Sequence, residues 1–190
     1  MNYSKLFKIA KKFDIISKTQ EVIQINMKVI FLDKDGVLNS DEYFDKIKGL
    51  HIKGIESDVD INKVKLLKKV IDSTGAKVVL TASARYTKNG QLLIQLLREN
   101  QILVDLTPFI NNKRGIEIKQ WLSEHPETED FIILDDEIFD SYDEELMKKL
   151  IKVSNGNGIS FGEGLQPQDV EQIIEKLGRI KQKDEDELEL

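Results

Sequence analysis

Two carboxylates near the start of the chain, Asp33 and Asp35, are suited to chemistry on phosphorus. They lie in the stretch FLDKDGVL, directly after a short apolar run. Alternate residues of an extended chain point the same way, so both carboxylates can flank one site. One carboxylate can attack phosphorus, and the other can protonate the leaving oxygen and later activate water. The pair therefore predicts phosphate-ester chemistry, with Asp33 as nucleophile and Asp35 as general acid–base.

Gly36 and the stretch TASAR offer groups that bind phosphate. Gly36 permits a tight turn that brings amide N–H groups near a bound phosphate. The hydroxyls of Thr81 and Ser83 and the guanidinium of Arg85 follow the apolar run VVL and can contact phosphate oxygens. Alone, this stretch is more typical of a helix N-cap beside a solvated arginine. We predict that Gly36, Ser83 and Arg85 bind the substrate and that Thr81 takes part in catalysis.

Two charged pairs complete the set of polar signals. Lys113-Arg114 stands at the start of a predicted helix, where one fixed cation would offset the repulsion between a carboxylate nucleophile and a phosphate. Asp135-Asp136 follows the apolar run FIIL, and carboxylates at strand ends suit the hard cation Mg²⁺. The sequence does not decide between Lys113 and Arg114. Alone, a basic pair is usually a surface feature and an acidic pair usually a cap.

Short apolar runs alternate with helical patterns around these signals, which is typical of a parallel α/β sheet. The predicted strands are 27–32, 77–80, 102–106, 131–134 and 151–153. The predicted helices are 61–73, 89–100, 115–124, 144–150 and 167–177. Because such sheets bind ligands at the carboxyl ends of their strands, the polar signals should converge in space.

Composition excludes several other classes of protein. The chain has 190 residues, enough for one domain, and it has no cysteine, which excludes disulfides and thiolate nucleophiles. Its two histidines leave little scope for a Ser-His-Asp triad. It has no run of 18 apolar residues, and its net charge of −6 disfavours generic binding of duplex nucleic acid. We expect a cytoplasmic protein without a membrane span.

Domain organisation follows from charge and periodicity. Residues 27–180 are predicted to form the catalytic domain, with a small flap inserted at about 39–60. Residues 1–26 form an amphipathic extension, which is either a membrane-surface or partner helix or, as we favour, a helix packed on the domain. The acidic tail 181–190 is predicted to be disordered.

The four signals together resemble the motifs of the haloacid dehalogenase (HAD) superfamily of phosphatases. FLDKDGVL resembles its first motif, VVLTASAR its second, the basic pair its third and ILDD its fourth, over about 27–177. Closer still, TGAKVVLTASAR, KRGIEIKQWL and FIILDDE are similar to a small HAD group associated with Swiss Army Knife RNA repair and related to polynucleotide-kinase phosphatase domains. One departure is Ala84, since the second motif of that group usually carries Trp before its Arg.

The resemblance implies a Rossmann-like three-layer sandwich with a mostly parallel sheet and the first-motif strand at its centre. It implies Mg²⁺ held by the carboxylate of Asp33, the main-chain carbonyl of Asp35 and the carboxylate of Asp136, with Asp135 acting through water. Arg114 matches the third motif of the closer group better than Lys113 does. Only 39–63 separate the first motif from the next helix, so no large cap domain is expected.

The leading hypothesis is a Mg²⁺-dependent phosphomonoester hydrolase that forms an aspartyl-phosphate, acting on an RNA or DNA end. One alternative is a small-molecule phosphatase for nucleotides or sugar phosphates. Another is a phosphate-binding or phospho-acceptor module without turnover. Motif order opposes the receiver type of acceptor, because its acidic pair precedes the acceptor aspartate, whereas here the pair comes last.

Overall fold

The computed structural model describes residues 27–153 and 160–179. Its five strands form one parallel sheet in the order β3-β2-β1-β4-β5. The strands are β1 Met27–Leu32, β2 Lys77–Leu80, β3 Val104–Leu106, β4 Thr128–Asp135 and β5 Leu150–Lys152. Strand β1 lies at the centre, as predicted. The predictions for the N-terminal extension and the acidic tail fall outside the described residues.

Six helices flank the sheet in the described part of the chain. They are α1 Asp41–Ile47, α2 Ile61–Thr74, α3 Lys88–Glu99, α4 Arg114–Glu124, α5 Glu144–Lys149 and α6 Pro167–Leu177. Helix α2 shows how local sequence sets these limits: the Asp60 side chain accepts the N–H of Asn62 at its start, and Gly75 ends it with a φ of +69°. None of the described helices combines the length and apolarity needed to cross a membrane.

Two apolar layers cover the two faces of the sheet. Side chains alternate along β1, so Ile30 and Leu32 face one layer while Val29 and Phe31 face the other. Helices α2, α3 and α6 pack on the first face, and α4 and α5 on the second. This arrangement confirms the predicted three-layer α/β sandwich.

The insert between β1 and α2 is small, and no large cap covers the described sheet. It forms α1 and a 3-10 turn at Gly54–Ser57. Its two ends are joined, because the Asn39 amide donates to the Asp58 carbonyl at 3.0 Å. Phe44 of α1 packs on Phe161 with ring centroids 5.0 Å apart. The insert is therefore tied both to the loop after β1 and to the segment before α6.

Helix α4 begins in very close contact with the loop after β4. The N–H of Gly115 donates to the Ser141 hydroxyl at 2.9 Å. A Cβ added at Gly115 would lie 2.0 Å from the Ser141 carbonyl oxygen, well inside van der Waals contact. Glycine is therefore required at the position that follows Arg114.

Replacing Gly115 with alanine should destabilise the fold, because backbone must move to admit the methyl group. We expect Gly115→Ala to lower the free energy of unfolding by about 1–3 kcal/mol in urea titrations. Ile116→Ala is the matched control on the exposed side of the same turn and should change it by less than about 0.5 kcal/mol. Equal unfolding midpoints for the two variants would contradict this account of the helix start.

Candidate active site

The carboxyl ends of the three central strands meet at one pocket. The register pairs Leu32 of β1 with Leu80 of β2 and Leu134 of β4, so Asp33, Thr81 and Asp135 lie at the same edge of the sheet. A cavity of about 370 Å³ opens there. It is lined by Asp33, Asp35, Ser83, Ala84, Arg114, Asp136, Glu137, Phe139, Ser160 and Phe161. The structure thus brings together residues from all four predicted signals.

Arg114 is the cation that reaches Asp33. Its Nη2 lies 3.0 Å from Asp33 Oδ1, and its Nη1 lies 2.5 Å from Asp135 Oδ2. Phe139 supports the guanidinium from one side, with the ring centroid 4.3 Å from Cζ. Burial opposes the charge of Arg114, but the carboxylates of Asp33 and Asp135 raise its pKa above the usual value. Lys113 is exposed at the N-cap of α4 and does not line the pocket.

Three buried carboxylates form an acidic cluster, which comprises Asp33, Asp135 and Asp136. One oxygen from each lies within 4.8 Å of the others. Burial raises the pKa of Asp33 to about 7 against the lowering effect of Arg114, and the carboxylates of Asp135 and Asp35 add to the rise. Burial, Asp135 and Glu137 raise the pKa of Asp136 to about 6. The anionic forms are therefore disfavoured here, and a hard divalent cation would relieve this repulsion.

The two aspartates at the carboxyl end of β4 occupy different environments. Asp135 is fully buried; its Oδ2 accepts hydrogen bonds from Arg114 and from the Tyr142 hydroxyl at 3.1 Å, and its Oδ1 accepts the Glu137 N–H at 3.1 Å. Asp136 instead lines the pocket. Asp136 is therefore placed to contact a ligand, whereas Asp135 is placed to orient Arg114.

Gly36 makes room for Asp136. Its φ is +66°, and a Cβ added there would lie 2.3 Å from Asp136 Oδ2. The absence of a side chain thus lets the carboxylate lie against the loop that carries Asp33. This cradle, together with a donor set made only of oxygens, fits a magnesium ion.

Asp35 also faces the pocket, with its side chain 50% exposed. Its Oδ1 accepts the Asn39 amide at 2.9 Å and lies 2.9 Å from Lys34 Nζ. Lys34 also bonds to Asp58 Oδ2 at 2.6 Å. Burial opposes the charge of Lys34, but the hydrogen bonds to Asp58 and Asp35 raise its pKa. One oxygen of Asp35 is therefore held in place by the loop and the insert.

The stretch TASAR is only partly at the pocket. Ser83 lines it, whereas Thr81 is buried and its hydroxyl donates to the Leu32 carbonyl at 3.0 Å. The position of Arg85 differs from the predicted one, because its guanidinium points into the protein and bonds to Glu117 and to backbone carbonyls. The physical reason is that the chain supplies this arginine with a complete set of buried acceptors.

Several residues of the site were missed by sequence reasoning. Asn39 is fully buried, and its Oδ1 accepts the Gly36 N–H at 2.8 Å, which holds the loop that carries Asp33 and Asp35. Tyr142 donates to Asp135, Phe139 lies against the Arg114 guanidinium, and Phe161 lines the pocket. Only Asn39 lies close enough to FLDKDGVL to have been proposed from the sequence. The three aromatic residues belong to none of the four motifs, and only the folded chain shows that they lie at the site.

The central β1, the acidic cluster at its carboxyl end and the cation on α4 define an α/β protein of the HAD superfamily. The family described as the HAD domain in Swiss Army Knife RNA repair proteins matches residues 29–162, and this chain belongs to it. The match confirms the resemblance and supports a phosphatase-type function. No curated protein and no solved structure matches the chain.

The Gly36 cradle predicts a loss of cation binding when the cradle is filled. Gly36→Ala should lower Mg²⁺ affinity, measured by isothermal titration calorimetry, about tenfold or more. Gly49→Ala is the matched control, because Gly49 also has a positive φ (+81°) but nothing lies within 4 Å of its Cβ position. Both variants carry the same backbone strain of about 1–2 kcal/mol, so only the steric effect on Asp136 differs. Equal affinities would show that the cradle does not hold the cation site.

Proposed function

We propose that this protein is a Mg²⁺-dependent phosphomonoester hydrolase that forms an aspartyl-phosphate on Asp33 and acts on a phosphorylated nucleic-acid end. The observation that carries the proposal is the position of Asp33. Its carboxylate lies in the acidic cluster at the pocket and 3.0 Å from the guanidinium of Arg114. A carboxylate with a fixed cation beside it can approach a phosphate dianion that it would otherwise repel.

In the first step, an Asp33 carboxylate oxygen attacks phosphorus and the bond to the leaving oxygen breaks. Asp35, in its acid form, transfers its proton to that oxygen, so the alcohol leaves neutral. Asp35 suits this role because one of its oxygens is held by Asn39 and Lys34 while the side chain remains half exposed to the pocket. Arg114 keeps Asp33 in place and offsets the negative charge of the transferring phosphoryl group.

In the second step, Asp35 takes a proton from water as the water oxygen attacks phosphorus. The bond between the phosphoryl group and Asp33 breaks, which releases inorganic phosphate and returns Asp33 as a carboxylate. Ser83, which lines the pocket, would donate a hydrogen bond to a phosphate oxygen. Gly36 would contribute through the tight turn beside the phosphate and not through its own N–H, which already donates to Asn39 Oδ1. We assign Thr81 a supporting role, because its hydroxyl bonds to the end of β1.

The carboxylates of Asp33 and Asp136 and the main-chain carbonyl of Asp35 would hold Mg²⁺. When bound, the ion supplies positive charge that stabilises the phosphate oxygens in the transition state. Asp135 contributes indirectly, since its oxygens are already occupied by Arg114, Tyr142 and a backbone N–H.

A nucleic-acid end is the proposed substrate for two reasons. The family to which the chain belongs is described by its place in RNA repair proteins. The described domain also carries only the small insert around α1 in place of a large cap, which leaves room for a polymer to extend from the pocket. A nucleotide or sugar phosphate would fit the same chemistry, and experiment must separate these substrates.

Asparagine at position 33 should abolish turnover without unfolding the protein, because the amide is a poor nucleophile of nearly the same size. We expect Asp33→Asn to lower kcat on an aryl phosphate by roughly 10³-fold or more, and EDTA to silence the wild type until Mg²⁺ is restored. Asp72→Asn is the matched control, since Asp72 pairs with Lys68 on the surface of α2. Substantial turnover by Asp33→Asn, or activity that persists without metal, would refute the assignment.

A substrate panel tests the nucleic-acid end. The panel contains 3′- and 5′-phosphorylated RNA and DNA oligonucleotides, mononucleotides and sugar phosphates, each assayed by phosphate release. We expect kcat/KM for one class of phosphorylated oligonucleotide to exceed that for sugar phosphates by about tenfold or more, since only the polymer gains contacts outside the pocket. Faster turnover of mononucleotides or sugar phosphates would support a small-molecule phosphatase. Tight phosphate binding without turnover would support a binding or phospho-acceptor module.

A further inference from the structure

Arg85 is a buried arginine whose hydrogen-bonding capacity is completely used. It is 1% exposed, and each of its five N–H groups has an acceptor within the protein. Nε donates to the Thr107 carbonyl, Nη1 to the carbonyls of Thr81 and Ala82, and Nη2 to the Pro108 carbonyl and to Glu117 Oε2. The distances run from 2.7 to 3.0 Å. No donor remains for a substrate phosphate.

These acceptors belong to three different parts of the fold. Thr81 and Ala82 start the loop that leads to Ser83 and Ala84 at the pocket. Thr107 and Pro108 follow β3 and lie in the segment that leads to α4. Glu117 lies on α4 itself and is also 1% exposed. A single guanidinium therefore ties the second-motif loop to the helix that carries Arg114.

Glu117 completes the connection on the side of α4. Its Oε2 binds Arg85 at 2.7 Å and its Oε1 accepts the Ile110 N–H at 2.8 Å. It follows Arg114 by three residues, so the two side chains lie on the same side of the helix about one turn apart. A rotation or shift of α4 that moved Glu117 would therefore also move Arg114 relative to Asp33.

We propose that Arg85 and Glu117 form a positioning pair that sets α4 so that Arg114 meets Asp33. The pair does not touch the reacting atoms, and its effect on catalysis rests on the function proposed above. A buried ion pair is weak evidence for stability, because desolvation offsets most of its attraction. All the N–H groups of Arg85 are hydrogen-bonded, and the pair lies between the second-motif loop and α4. These two features point to a positioning role.

The same contacts shape the wall of the pocket. Arg85 draws the carbonyl oxygens of Thr81 and Ala82 into the protein. Carbonyl oxygens turned toward the pocket would repel a phosphate, because both carry negative charge. Loss of Arg85 should therefore weaken phosphate binding as well as displace Arg114, whereas loss of the Glu117 carboxylate should act mainly through α4.

The test is a double-mutant cycle with Glu117→Gln and Arg114→Lys, read by kcat and KM on an aryl phosphate in Mg²⁺. The side-chain amide that Glu117→Gln introduces has one oxygen and cannot accept from both Arg85 and the Ile110 N–H in the way the two carboxylate oxygens do. We expect Glu117→Gln to lower kcat about 10- to 100-fold with KM changed by no more than about twofold. In the Arg114→Lys background, the same change should lower kcat by less than about twofold, because the effect passes through Arg114.

Three further variants separate positioning from general destabilisation. Ile173→Val removes a methyl group from the apolar layer on the face of the sheet opposite to α4. It should lower thermal stability by about as much as Glu117→Gln does but leave kcat unchanged. Arg85→Lys keeps the charge beside Glu117 and should retain more activity than Arg85→Met. A drop in kcat of equal size in both Arg114 backgrounds, or one no larger than for Ile173→Val, would overturn the proposal.

A readout independent of turnover keeps the result interpretable. Hydrogen exchange of the Arg114 guanidinium, followed by ¹⁵N NMR, should be about tenfold faster in Glu117→Gln than in wild type and unchanged in Ile173→Val. Should wild type lack phosphatase activity, the proposed function fails while faster exchange at Arg114 still supports the positioning pair. Unchanged exchange at Arg114 would overturn the pair even in an active enzyme.

Discussion

The site depends on the guanidinium of Arg114, which is held between the carboxylates of Asp33 and Asp135. A buried charge is tolerable only when it is paired, so the positions of Arg114, Asp33 and Asp135 depend on one another. The guanidinium joins β1, β4 and α4, since Asp33 directly follows β1 and Asp135 is the last residue of β4. Much of the remaining structure near the pocket can be understood as a means of fixing this one contact.

Four contacts hold Arg114 in place from different directions. Gly115 lets the start of α4 approach Ser141 closely, and Tyr142 and Phe139 contact Asp135 and the guanidinium. The fourth contact is the link from Glu117 to Arg85, on the side of the second-motif loop. Because these contacts come from separate elements, the position of the cation is a property of the packed domain rather than of any one motif.

Burial raises the pKa values of Asp33 and Asp136, and the negative charge of the acidic cluster, which Arg114 only partly balances, adds to the rise. Arg114 is directed at Asp33 and Asp135 and leaves Asp136 on the pocket side. A divalent cation at that side would complete the balance, and the absence of a Cβ at Gly36 leaves room for the Asp136 carboxylate that would help to hold it. Under the proposed function, catalysis and cation binding would therefore depend on the same group of charges.

Local sequence was sufficient to predict the sheet, the position of Asp33 at a strand end and the acidic pair at the carboxyl end of β4, because apolar runs and the residues that follow them are short-range features. The choice of Arg114 over Lys113 required the folded chain, since it depends on which side of α4 faces Asp33 and Asp135. The role of Arg85 also required it: its acceptors lie up to 32 residues away in the chain, and no nearby pattern marks them. The sequence therefore predicted which types of side chain lie at the strand ends. The partner of each charged side chain was decided by packing between elements that are distant in the chain.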